Sequence, residues 1–326
     1  MPLLLNEHDV RALLPMPDLI AAMERALGAY SAGEVVQPVR TVLRVAAHQA
    51  FFGVMPAAMD APPALGTKLV SVYPKNHARG LPSHLATIVL FDHATGALTG
   101  LIDGRYITEA RTAAVSAVSV SHLARPDATV LAILGSGVQA RSHLDAISHV
   151  RALSEVRVWS PNADHRAAFV DDATARGHRV RAMADASSAV RGAGLIVLAT
   201  SSATAVVNDG DVAPGAHICA VGACRPDQRE MPGALVARAR LFVDSRAAAR
   251  TEAGDLLLAM EEGLVSEGHI AGELGELVLG RVTGRRAGDD VTVFKSLGMA
   301  VEDVVAATLV LDRAKAQGLG VQFSMS

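Results

Sequence analysis

The chain has 326 residues, half of them hydrophobic, enough to bury a sizeable core as one large domain or two ordinary ones, so a disordered or fibrous protein is excluded. Lys and Arg total 30 against 33 Asp and Glu, a formal charge of −3, and no basic run suits a phosphate backbone, which argues against nucleic acid as a partner. Two cysteines, Cys219 and Cys224, provide neither a disulfide framework nor a zinc site, and Glu7 and Asp9 follow the apolar start MPLLL too soon for a signal peptide or a membrane span. The expectation is a cytoplasmic protein with no metal and no membrane contact.

Along the chain, a helix is predicted near residues 17–31. The extended pieces VVQPVRTVLRV, FFGVMPA, TKLVSVYP, HLATIVLFD and ALTGLIDG follow it with turns but no helices between them, as in a meandering antiparallel sheet. A second copy of the chain can cover the edge of such a sheet, so a homodimer is expected. RYITEARTAAVSAVSVSHLA then reads as a helix. From about residue 128 the order is βαβαβ, through ATVLAILG, VQARSHLDAISHV, EVRVWS, DHRAAFVDDATARG and HRVRAMA. Three more buried strands are expected in GLIVLATSS, AHICAVGA and RLFVDS, giving six in a doubly wound parallel α/β sheet. SLGMAVEDVVAATLVLDRAKAQG is a strong amphipathic helix that returns the chain to its first domain.

Gly135-Ser-Gly137-Val-Gln-Ala140 directly follows the strand ATVLAIL and opens a helix. Gly135 permits the tight turn, Gly137 lets the backbone approach a pyrophosphate, and Ala140 lets helix and strand pack closely. The helix N-terminus, at Val138 and Gln139, offers free N–H groups to the phosphates. A glycine turn alone is a weak signal, but strand, turn, helix and the following βαβ series make a dinucleotide site the expectation, with Thr200 in GLIVLATSS as a further contact. The second strand ends in Trp159-Ser160-Pro161-Asn162, with no carboxylate before Asp164. A 2′-phosphate therefore meets no repulsion, Ser160 and Asn162 can donate to it, and Arg166 can add charge, so NADPH is expected, with NADH as the alternative.

Several cations interrupt apolar or turn-rich stretches of the first domain: Arg40, Arg44, Lys68 and Arg111, joined by His84. Buried charge is costly unless paired, so such a cluster implies an anionic ligand or matched carboxylates. Taken singly, Lys68 divides evenly between catalysis and snorkelling to solvent, Arg111 equally pairs with Glu109, and His84 reads as a core histidine.

The stretches VQPVRTV, FFGVMPA, TKLV, LPSHLATIVLFD, TGALTGLIDG, EARTAAVSAVS, ILGSGVQARSH, AVGACRPDQREM, DSRAAARTEAGDLL and VTVFKSLGMAVEDVVAA, in this order, resemble the ornithine cyclodeaminase/mu-crystallin family. They cover nearly the whole chain. The resemblance implies a Rossmann domain over 119–296, inserted into a substrate-binding and dimerisation domain of α+β type formed by 1–118 and 297–326. It also implies one of several activities: NAD(P)H-dependent reduction of cyclic ketimines, cyclodeamination of ornithine, alanine dehydrogenation, or non-catalytic ligand binding of the crystallin kind. The cyclodeaminases place an aspartate at the position of Cys224, so Val221-Gly-Ala-Cys224-Arg-Pro226 with Glu230 looks like the ketimine reductases. Those carry an arginine directly after the residue matching Ser160, where this chain has Pro161, leaving Arg166 or Arg141 to supply that charge. By the same resemblance Arg40 and Arg111 contact the substrate carboxylate or cofactor phosphate, and Lys68 stands beside the imine. Glu252 lies on the substrate side, Ser83 and His84 adjoin the cofactor, Thr112 and Ser296 lie near the phosphates or nicotinamide, and Val221 backs the ring.

Overall fold

The computed structural model describes residues 1–324, so Met325 and Ser326, the end of the expected 297–326 segment, lie outside the described residues. The chain forms two compact units, Met1–Arg111 with the segment from Gly298 onward, and Thr112–Leu297. The first division falls inside the helix Arg105–Leu123, several residues before the expected one at 118/119.

The first unit is built on a mixed sheet. Its order is Val321–Gln322, Leu3–Leu5, Leu98–Asp103, His84–Phe91, Pro63–Val72, Ala50–Asp60 and Val35–Val36, with Thr41–Val45 also pairing with Ala50–Asp60. All neighbours are antiparallel except Leu3–Leu5 beside Leu98–Asp103. The piece read as one extended run over 35–45 is interrupted, and Arg40 sits in the break. The helices Met16–Ala32 and Ala300–Gln317 bury Leu19, Met23, Leu27, Val304 and Val310.

The second unit holds eight parallel strands rather than six. Their order is Val180–Ala182, Glu155–Trp159, Val130–Leu134, Leu195–Leu198, His217–Ala220, Thr292–Lys295, Arg240–Val243 and Ile270–Glu273. Strand order reverses between Val130–Leu134 and Leu195–Leu198, the switch point beside which ligands bind in such sheets. Side chains alternate between two cores. Ala132, Leu134, Ile196, Leu198 and Ile218 face one, while Leu131, Ile133, Leu195, Val197 and Cys219 face the other, so both faces are covered. Two histidines are buried in this unit. His143 Nδ1 donates to the Gln139 carbonyl at 2.8 Å and Nε2 accepts from Ser116 Oγ at 2.9 Å, while His217 bridges Thr292 Oγ1 at 3.0 Å and Ser119 Oγ at 3.1 Å. Among the described residues no helix is long and apolar enough to cross a membrane, and no His, Cys, Asp or Glu cluster suits a metal ion.

Candidate active site

Lys68 lies on the core-facing side of the strand Pro63–Val72, where Ala64, Gly66 and Lys68 alternate as its buried residues, and its strand neighbours are Met55 and Ile88. That register removes the snorkelling route, and the side chain is 3% exposed. Its Nζ meets Asp303 Oδ2 at 2.5 Å. The other oxygen of Asp303 accepts from Arg111 Nε at 2.9 Å, and Arg111 Nη1 reaches Glu302 Oε2 at 2.6 Å. Both carboxylates belong to the first turn of Ala300–Gln317 and are fully buried. Arg111 is thus matched by Glu302 and Asp303, while Glu109 binds Arg105 at 3.4 Å instead.

Gly298 closes this group. Its φ of +81° suits glycine, and a Cβ there would stand 2.5 Å from Arg111 Nη1, so only a bare backbone can pass over the guanidinium. The Gly298 carbonyl accepts from Arg40 Nη2 at 2.8 Å. Arg44, by contrast, is an exposed charge on Thr41–Val45.

The field within this cluster is positive. Burial draws the Lys68 ammonium down to about 8, with Asp303 opposing and Arg111 and Arg40 adding to the fall. Half-buried His84, the first residue of its strand, is drawn to about 4, chiefly by burial and then by Lys68 and Arg111. Burial pushes the Asp303 carboxyl up, but Arg111 and Lys68 outweigh it and hold it below the usual carboxylate range. Ser83 is exposed, and its carbonyl accepts from the Tyr73 amide at 2.7 Å.

In the second unit, Gly135 has a φ of +115°, and a Cβ there would lie 2.3 Å from the Ala199 carbonyl oxygen. A Cβ at Gly137 would meet nothing within 4 Å, so the turn is open on that side, and no side chain caps the helix Val138–Val150. The amides of its first turn therefore face an open cradle fit for a pyrophosphate. Val138 is 52% exposed there and Ala140 is fully buried. Ser136 Oγ and Ser160 Oγ are 2.9 Å apart, Arg166 donates to the Ser160 carbonyl, and Arg141 donates to the Ser136 carbonyl at 2.6 Å. Two guanidinium groups thus stand where the first two strands end. Asn162 spends its side-chain oxygen on the His165 amide as the cap of Ala163–Ala175.

A buried frame shapes the next turns. Glu230 Oε1 accepts from Thr200 N at 2.7 Å and Thr200 Oγ1 at 2.8 Å, and Oε2 accepts from Gly222 N at 2.6 Å. Asp255 Oδ1 accepts from the Glu230 and Met231 amides, and its Oδ2 lies 3.1 Å from the buried Lys295 ammonium. Burial lowers the Lys295 ammonium, but Asp255, Cys224 and Glu230 outweigh it and hold it above its ordinary value. Val221 is buried, Cys224 is exposed, and the Ser296 amide donates to the Ala220 carbonyl at 3.0 Å. Buried Thr112 opens this unit, and half-buried Glu252 ends the helix Arg246–Glu252.

Sequence reasoning missed Glu302, Asp303, Asp255 and Lys295. A signal existed in MAVEDVVAA, where two adjacent acids stand inside an apolar helical run with no nearby base. Adjacent helix positions point about 100° apart, so on a helix buried all round at least one acid is drawn inside and needs a cation.

A parallel Rossmann-like sheet with a glycine turn at its switch point places this molecule in the dinucleotide-binding class of α/β proteins. The chain belongs to the ornithine cyclodeaminase/mu-crystallin family, which it matches over residues 1–318. It is 44% identical to the ketimine reductase mu-crystallin of Mus musculus over 315 residues, 95% of this chain and 97% of that protein. Its structure is similar to that of Thermococcus litoralis Δ1-pyrroline-2-carboxylate reductase in complex with NADH and L-proline, with a TM-score of 0.96, 36% identity, and coverage of 98% of this chain and 100% of that one. It is also similar to an archaeal alanine dehydrogenase dimer with bound NAD, at a TM-score of 0.95 and 27% identity over 100% of this chain and 99% of that one.

Proposed function

We propose that this protein reduces cyclic ketimines, Δ1-pyrroline-2-carboxylate to L-proline, Δ1-piperideine-2-carboxylate to L-pipecolate, or both, with NADPH as the preferred cofactor and NADH as the second. The observation that carries this reading is the group of buried Lys68 and Arg111 with half-buried Arg40, whose positive field suits the carboxylate of a 2-imino acid. The likeness to a ketimine reductase and to a pyrroline-2-carboxylate reductase supports the same chemistry.

Arg40 and Arg111 hold the carboxylate, and Lys68 stands beside the imine nitrogen as proton donor. His84, with Ser83 before it, stays neutral and contributes hydrogen bonding toward the cofactor. Gly135, Gly137, Val138 and Gln139 take the pyrophosphate, while Thr112, Thr200, Val221 and Ser296 line the nicotinamide end. The bound dinucleotide supplies the hydride. The NADPH preference rests on the absence of a carboxylate at the end of Glu155–Trp159 and on Arg166 beside Ser160, with Asn162 next to it. Glu252 serves as a substrate-side carboxylate. The substrate and dimerisation unit comprises both chain ends, and exposed Val36, Val42 and Leu43 give its sheet edge the apolar surface a second copy would cover.

The test follows the loss of NADPH absorbance with each imine, with NADH compared, and with ornithine plus NAD and pyruvate plus ammonia in parallel. Imine-dependent oxidation, faster with NADPH at equal concentration, is the expected result. Turnover of ornithine or pyruvate alone would assign a sister activity. NADPH binding without any turnover would make this a ligand-binding protein.

A further inference from the structure

Lys68 is buried in its unit, and the charged and titratable groups that face it come from four directions. Asp303 approaches from the helix Ala300–Gln317, Arg111 from Arg105–Leu123, Arg40 from the segment before Thr41, and His84 from the neighbouring strand. Only Asp303 among these carries negative charge, because Glu302 meets Arg111 and the strand partners Met55 and Ile88 are apolar. An ammonium in apolar surroundings beside two guanidinium groups loses its proton readily unless an anion holds it.

We propose that Asp303 is a positioning residue for the imine reduction, holding the Lys68 ammonium in place through one oxygen and Arg111 through the other so that Lys68 remains a charged proton donor. This rests on the ketimine-reductase reading. In the step it serves, the Lys68 N–H bond breaks and the imine nitrogen takes the proton. The C=N carbon takes a hydride, leaving the dinucleotide oxidised, and neutral Lys68 regains a proton from water after product leaves. Asp303 keeps its charge throughout. It touches neither substrate nor cofactor and acts through Lys68 and Arg111, which a single carboxylate can do because its two oxygens lie 2.5 and 2.9 Å from the two cations. Joining them fixes the spacing between the proton donor and the group that holds the carboxylate, which is the distance a 2-imino acid must span.

The chain contains only four lysines, so selective 13C labelling at the lysine ε-carbon allows Lys68 to be titrated directly by NMR, without reliance on turnover. Asp303→Asn, Asp303→Glu and Glu302→Gln are compared with wild type, alongside the pH dependence of kcat/KM for Δ1-piperideine-2-carboxylate. Asp303→Asn is expected to move the Lys68 midpoint down by about one unit or more, and the basic limb of kcat/KM with it. Asp303→Glu keeps the midpoint near wild type but lowers kcat roughly tenfold, because the longer acid misplaces the ammonium. Glu302→Gln leaves the midpoint unchanged.

An unmoved midpoint in Asp303→Asn, or full kcat in Asp303→Glu, overturns the proposal. If Asp303→Asn does not fold, the glutamate variant alone decides through kcat. A wild-type protein with no imine turnover overturns the reading on which the proposal rests, whereas a moved NMR midpoint with an unmoved kinetic limb sinks the proton-donor role alone.

Discussion

Lys68 and Asp303 form an ion pair at 2.5 Å in which the side chains are 3% and 0% exposed, one from a sheet strand and the other from the first turn of the C-terminal helix. Removing one member of such a pair leaves the other charged in an apolar setting, which typically costs about 3–5 kcal/mol. Lys68→Ala should therefore melt at a lower temperature than wild type and lose imine reduction. It should still bind NADPH, because the Gly135 turn belongs to the other unit. Calorimetry, cofactor fluorescence and turnover read the three effects, and a Lys68→Ala protein that still turns over imine removes Lys68 from the chemistry.

The pH dependence of the rate follows from the same residue. With Lys68 near 8 and acting in its protonated form, kcat/KM should stay level below that pH and then fall roughly tenfold per unit as the ammonium is lost. His84 lies near 4 and is neutral across this range, so it adds no acidic limb between pH 5 and 8. A profile that rises through pH 8 would show that neutral Lys68 is the active form.

Much of this arrangement was legible in the sequence. The glycine turn stood out because strand, turn and helix each have a local signature. Lys68 and Arg111 stood out because a cation in an apolar run demands an explanation. Their carboxylates did not, since acids at a helix start have an ordinary reading as partners of the helix dipole. The strand Thr292–Lys295 escaped for a related reason. Lys295 ends a short run and reads as exposed, and only its partner Asp255, brought close by the fold, makes it a buried residue. The edge strand Ile270–Glu273 is four residues with a glycine among them, too weak a pattern to stand alone.

Acid should destabilise the protein through two histidines buried in the other unit. Burial holds His143 near 4 and His217 near 3, against about 6.5 in the unfolded chain. The unfolded state therefore binds protons first as pH falls. The stability these neutral rings contribute is complete above about pH 6.5 and is lost progressively down to the folded values, on the order of 3 kcal/mol for His143 and about 5 kcal/mol for His217. Urea unfolding between pH 7 and 4 reads this slope, and His143→Asn should flatten it. An equal slope in the variant would place the acid sensitivity elsewhere.

The two glycines of the turn should respond differently to the same added methyl group. At Gly137 nothing lies within 4 Å of the new Cβ, so Gly137→Ala should fold with a near-normal melting temperature yet bind NADPH at least tenfold more weakly, the methyl filling the pyrophosphate's place. At Gly135 the Cβ would collide with the Ala199 carbonyl at a φ of +115°, so Gly135→Ala should lower stability first. Equal melting losses in both would mean that Gly137 is needed for folding and not for cofactor.

The turn that presents Cys224 is held from underneath. Glu230 ties the amides of Thr200 and Gly222, Asp255 ties Glu230, and Lys295 neutralises Asp255, while exposed Cys224 rests its thiol against the Val221 and Ser296 carbonyls. The backbone shape of this turn is thus set by Glu230, Asp255 and Lys295 and not by the side chain at position 224. In evolutionary terms, position 224 can exchange one functional group for another without a compensating change in the backbone, and a lineage built on this frame can change its chemistry by one substitution at a time.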